Sequence, residues 1–324
     1  MTQSEPRPIL RKSLGVMDAS LHALNNMDIH RIFYPLAVGY AGGGVKMRIS
    51  AEVLGSRSAT RLFGAGAHEV LIPCIGSLED AAAQASRISE GPVTLHVPAN
   101  RVANPDHAVA VLAEHGIERA LVVSGNPGHG GGSTTLYELI PRLREHNIHV
   151  SVGAYPESYF STTGARHRMR SARILRAKQE AGAQRVITQV TFDRANLRTW
   201  VAVLREHGVD LPLQIGVSAP VPRTTLGRVL RQARADILRY PARHTLSRAN
   251  LDLFYRMLRS RIPDPARHIW QIGEMDVLRP HDGFHLFTYG ADIQPLMRAL
   301  SAVNASQRLA GRTLAADASV ENMP

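Results

Sequence analysis

Eight short apolar runs, most of them rich in β-branched residues, recur along this chain, with stretches of helical pattern between them. The runs are KMRISAEVL (46–54), HEVLIP (68–73), VTLHV (93–97), RALVVSG (119–125), HVSVGAY (149–155), RVITQVTF (185–192), LPLQIGVSA (211–219) and GFHLFTYG (283–290). The stretches SLEDAAAQASRI, HAVAVLAEHG, TTLYELIPRLREHN and RMRSARILRAKQEAGA place apolar residues at helical spacing, and the last two close on Asn147 and Gly182, residue types that stop helices. Alternation of strand and helix demands a parallel sheet with right-handed crossovers. Eight units in about 260 residues match a closed (β/α)8 TIM barrel better than an open doubly wound sheet, which would carry a glycine fingerprint after its first strand.

The expected organisation is an irregular N-terminal arm over 1–45, a barrel over 46–305 and a flexible tail over 306–324. The seventh unit is enlarged by two helical patterns, TTLGRVLRQARADIL and LSRANLDLFYRMLRSRI, an insertion of the kind that covers part of a barrel mouth.

Composition removes several classes of partner. A hydrophobic share of 44% suits a packed globular core. The net charge of +11 is spread along amphipathic segments, and aromatics at 5% leave few stacking platforms; the expected partner is an anionic small molecule, not a nucleic acid. Cys74 is the single cysteine, which excludes an internal disulfide and a multi-cysteine metal site. No run of about 18 apolar residues occurs, so no membrane partner and a cytoplasmic location are expected. A homo-oligomer stays open.

In a barrel the chemistry lies at the carboxyl ends of the strands. Glu52 sits inside the first apolar run, where burial raises a carboxyl pKa and equips it to deliver a proton; a structural pair with an inner Arg or Lys is the equal alternative. His96 in the third run lacks a second histidine at metal spacing, so no metal is expected. The fourth run opens into SGNPGHGGGST, whose five glycines permit close approach of backbone N–H groups to a ligand. It matches neither standard nucleotide fingerprint, and no G-x-S-x-G elbow accompanies it. After the fifth run, GAYPE leaves Tyr155 and Glu157 at the rim, and the next helix carries Arg173, Arg176 and Lys178, which suit a diphosphate or a solvated face. In the sixth run the amide of Gln189 interrupts an apolar strand, and an unpaired buried amide costs about 2 to 7 kcal/mol.

These pieces together resemble one family. SGN after strand 4, VGAYPES at strand 5, LRAKQEAGAQRVITQVTFD over helix and strand 6, and GFHLFTYGADIQPLMRAL at strand 8 are similar to the methylenetetrahydrofolate reductases, over roughly residues 46 to 303. The most specific piece is L-x-x-K-x-x-A-G-A-x-x-x-I-T-Q-x-x-F-D, from Leu175 to Asp193. The resemblance implies a (β/α)8 barrel that binds FAD and reduces 5,10-methylenetetrahydrofolate to 5-methyltetrahydrofolate with NADH or NADPH. It implies that Gln189 grips the pterin edge and that Glu52 protonates the folate N10. It further implies that His96, Ser124, Gly125, Asn126, Tyr155 and Lys178 line the flavin site, with Asn126 beside flavin N1.

There are departures. The family's R-G-D after strand 4 is Ser124, Gly125, Asn126, so an arginine is absent and a carboxylate is an amide. The family's F-F-P-P is Val53, Leu54, Gly55, Ser56, and strand 7 lacks the aromatic that follows P-G-I-x-P. Two alternatives accommodate them: a folate-binding or methyl-transfer accessory protein without the redox step, and a flavin-free reductase.

Overall fold

The computed structural model describes residues 48–125, 132–156, 164–191, 194–219 and 269–301, the last without 270, 274, 289–292, 295 and 299. Eight parallel strands close into a barrel in chain order. They are β1 (Arg48–Glu52), β2 (Glu69–Ile72), β3 (Val93–Pro98), β4 (Arg119–Val123), β5 (His149–Ala154), β6 (Arg185–Val190), β7 (Leu213–Ser218) and β8 (Gly283–Phe287). Seven of them lie inside one of the eight apolar runs, and β3 extends one residue, Pro98, past its run. The ring is completed by the pairing of β8 with β1, Arg48 opposite Gly283 and Ala51 opposite Leu286. The (β/α)8 architecture expected from the alternation is therefore present.

Helices follow the strands because the chain supplies their ends as well as their faces. The helix α1 (Ser56–Gly64) follows β1. Ser77 caps α2 (Leu78–Ala85) by accepting from the Asp80 N–H. Asn104 caps α3 (Pro105–Glu114), with a proline in its first turn, a residue with no N–H to leave unpaired there. Thr135 and Glu138 form a reciprocal capping box on α4 (Leu136–Glu145). Two longer helices, α5 (Gly164–Glu180) and α6 (Arg194–Glu206), pack side by side. Asn147 and Gly182, the expected stops, both adopt positive φ, 59° and 109°, which reverses the chain after α4 and α5.

Alternate residues of each strand face the helices and the barrel axis. The outward set, with Ile49, Val70, Leu95, Val122 and Val152, joins Leu139, Leu143 and Trp200 of the helices in one large buried cluster. The inward set forms layers. Following the strand pairings once round the ring from Arg48 through Gly283, Gln214, Ile187, Gly153, Val123 and Pro98, with the last pairings extended along β2 and β1, returns to β1 at position 56, eight residues beyond the start. That stagger is the one a (β/α)8 barrel needs to stack side chains from alternate strands in layers.

The lowest of these layers is ionic. Arg185 of β6 holds Glu69 of β2 through two contacts, Nη1 to Oε2 at 2.5 Å and Nη2 to Oε1 at 2.7 Å. Thr94 also donates to Glu69, and Arg185 Nε donates to Ser151 at 2.9 Å. Burial pushes the Glu69 carboxyl up, but the hydrogen bond and charge of Arg185, with Thr94, more than reverse this and hold it below its usual range. Beside this pair, Ser50 donates to Gln214 at 2.7 Å and lies 2.9 Å from Nδ1 of His285. The next layer is apolar on three sides, with Leu71, Leu121 and Ile187 in contact across the axis; His285 is the fourth position at that level. The lumen is thus closed below, and the volume above this layer is the open end.

No helix among the described residues is long and apolar enough to cross a membrane. The arm over 1–45, the two helical patterns of the seventh unit and the tail over 306–324 lie outside the described residues.

Candidate active site at the barrel mouth

Directly above the Leu71, Leu121 and Ile187 layer, the alternation brings Glu52, His96, Gly153 and Gly216 to one level on β1, β3, β5 and β7. Two of the four carry no side chain, so one half of this level is open and the other half holds the two titratable groups. At Gly153 a Cβ would meet only Cγ1 of Val123, at 3.4 Å, an ordinary contact.

Glu52 is partly buried and has no hydrogen bond or ion pair among the described residues. Burial alone pushes its carboxyl up to about 7, so it is substantially protonated at neutral pH. The carboxylate that does pair with an inner Arg is Glu69, deeper in the barrel and opposite Ser50 of β1. His96 is likewise without a hydrogen-bond partner among the described residues, and burial, with the charge of Arg101, lowers it to about 4; it is neutral. No group of metal-ligating side chains occurs among the described residues.

Gln189 stands near the carboxyl end of β6, partly buried, and its side-chain amide makes no hydrogen bond among the described residues. The strand is irregular at that point. Ile187 pairs with Gln214 and Val190 with Gly216, so three steps on β6 run against two on β7. Thr188 and Gln189 therefore lie in a β-bulge, and strict alternation does not govern them.

Tyr155 follows β5 at the rim and is 43% exposed; its main-chain oxygen lies 2.8 Å from the His167 ring nitrogen. Lys178 is buried on α5, with Nζ donating to the Gly153 carbonyl at 2.8 Å. It has no carboxylate partner among the described residues, and burial lowers it to about 8. The run Arg173, Arg176, Lys178 does not act as one cluster: Arg176 binds Glu180 at 2.7 Å and the Gly208 carbonyl at 3.0 Å, at the amino end of β7, away from the mouth.

Ser124 is exposed, and Gly125 has φ of 82° with the Asn100 side chain where a Cβ would stand; only glycine accommodates both. Ser124 O accepts from the Asn100 N–H at 3.2 Å, and the Gly132 N–H donates to Asn100 O at 3.1 Å. Both flanks of the glycine-rich loop are thereby tied to the β3 exit. Asn126 and Glu157 lie outside the described residues.

Sequence reasoning missed the floor. Glu69, Arg119 and Arg185 each stand at the first position of a strand, with inward parity, and that shared position was the available signal. It also missed the bulge at Thr188.

Residues 91–241 match the family model described as methylenetetrahydrofolate reductase. Among curated proteins, the chain is 25% identical over 157 residues to methylenetetrahydrofolate reductase (NADH) 1 of Arabidopsis thaliana, covering 43% of this chain and 26% of that one. It is 28% identical over 129 residues to the probable methylenetetrahydrofolate reductase (NADH) of Oryza sativa subsp. japonica, covering 35% and 22%. The aligned part spans about a quarter of the length of these relatives. The match starts just before β3 and runs past β7 on a closed eight-stranded parallel barrel, and over that part the chain is similar to the methylenetetrahydrofolate reductase family.

Proposed function

We propose that the protein reduces the methylene group of 5,10-methylenetetrahydrofolate to the methyl of 5-methyltetrahydrofolate, with NADH or NADPH as the source of hydride. The observation that carries this reading is Glu52: a carboxyl at the mouth layer, without a partner among the described residues, pushed up to about 7 by burial. An acid in that state is suited to give a proton to a weakly basic nitrogen.

In this mechanism Glu52 protonates the folate N10, the five-membered ring opens, and the N5 iminium carbon accepts hydride. Gln189 offers a donor and an acceptor to the pteridine edge, which satisfies an amide that no described residue meets in the free protein. Neutral His96 adds no charge beside the cation. The apolar layer beneath limits water access from below and strengthens the electrostatic contacts above it.

FAD fits the residues present in one respect. The buried Lys178 ammonium uses one of its three donors and has no anion beside it among the described residues, a need that a phosphate oxygen would meet. Lys178, with Ser124, Gly125, Asn126, His96 and Tyr155, would hold the cofactor, which when bound would relay hydride between nicotinamide and folate. Oxidation of NADH or NADPH that depends on added methylenetetrahydrofolate tests the activity, and its absence with both nucleotides would refute it.

A further inference from the structure

The β-bulge in β6 is built from identifiable contacts. In a regular parallel ladder Gln189 would stand opposite Gly216; here Val190 does, and the ladder resumes one residue late, with the Thr191 N–H donating to Gly216 O at 3.0 Å. The Gly216 N–H donates to a side chain, the hydroxyl of Thr188, at 2.8 Å, and that hydroxyl donates onward to Gln189 O at 2.9 Å. Thr188 is 1% exposed. The bulged carbonyls of Thr188 and Gln189 crowd Gly216 so closely that a Cβ there would lie 2.5 Å from each.

Three features thus interlock: an extra residue, a threonine hydroxyl that bridges the Gly216 N–H and the Gln189 carbonyl, and a glycine that leaves room. A bulge next to a site re-aims a side chain, and the side chain within this one is Gln189. We infer that Thr188 and Gly216 are positioning residues that set the direction of the Gln189 amide toward the ligand. The inference rests on the reading that Gln189 binds a reduced folate. A valine at 188 keeps the shape, removes the hydroxyl bridge between the buried Gly216 N–H and Gln189 O and frees the bulge to relax; a serine keeps the hydroxyl.

The test is a double-mutant cycle on the affinity for 5-methyltetrahydrofolate, measured by calorimetry on the full chain, with thermal unfolding followed in parallel. Thr188→Val is expected to weaken binding by about tenfold, the scale of one lost buried hydrogen bond, and Thr188→Ser to stay within about twofold of the parent. In a Gln189→Ala background, Thr188→Val should change affinity by less than about twofold, because the amide it positions is gone. Gly216→Ala should weaken binding in the same way. Equal loss in both backgrounds, or unchanged affinity of Thr188→Val, overturns the positioning role. Failure of the parent itself to bind 5-methyltetrahydrofolate is a separate result, which overturns the folate reading and this inference with it.

Discussion

Arg185 on β6 and Glu69 on β2 face each other across the barrel axis, both nearly inaccessible to solvent, with their paired atoms 2.5 and 2.7 Å apart. Removing one partner of such a pair leaves the other as an uncompensated buried charge, at a cost of about 3 to 5 kcal/mol. Glu69→Gln should therefore lower the unfolding free energy by that amount in denaturant titration. A loss below about 1 kcal/mol would mean that the floor does not brace the barrel.

Glu52 makes stability fall as pH rises. Its folded pKa of about 7 lies above the ordinary 4.5, so the folded state holds the proton more tightly than the unfolded state. Its contribution is fully present below about pH 4.5 and is lost as pH climbs to about 7. The difference across that window is up to about 3 kcal/mol. Glu52→Gln should gain on the parent in unfolding free energy between pH 5 and pH 8 by an amount of that order. Parallel pH profiles for the two proteins would contradict the raised pKa.

The histidines act in the opposite direction. Burial, chiefly, lowers His96 to about 4 and His285 to about 3. Both stay neutral when folded and charge readily when unfolded, so stability falls as pH drops below about 6.5 towards 4. Replacing His96 by Asn should flatten that acid limb, and an unchanged limb would show that His96 is not held neutral by the fold.

The barrel was legible in the chain because strand period and helix caps are local signals, and Ser77, Asn104 and Thr135 occupy the cap positions that such signals predict. Glu52 was legible because a carboxyl inside an apolar run is anomalous wherever it occurs. The Glu69–Arg185 pair was not, since its partners are 116 residues apart and meet only once the strand stagger is known. Nor was the bulge. Thr188 and Gln189 look like two consecutive positions of a regular strand, and the extra residue is defined only against β7.

Lys178→Met should keep the fold while reducing retained FAD by about tenfold, because a phosphate would lose a charge-assisted hydrogen bond. The flavin absorbance of the purified protein measures this. Equal absorbance in parent and variant would remove Lys178 from the cofactor site.

Under the proposed function, the Glu52 proton opens the methylene bridge. The direct measurement is methylenetetrahydrofolate-dependent NADH or NADPH oxidation by the parent and by Glu52→Gln, alongside their affinity for 5-methyltetrahydrofolate. Glu52→Gln should lose at least about a hundredfold in turnover with affinity within a few-fold of the parent. Undiminished turnover in Glu52→Gln would contradict it.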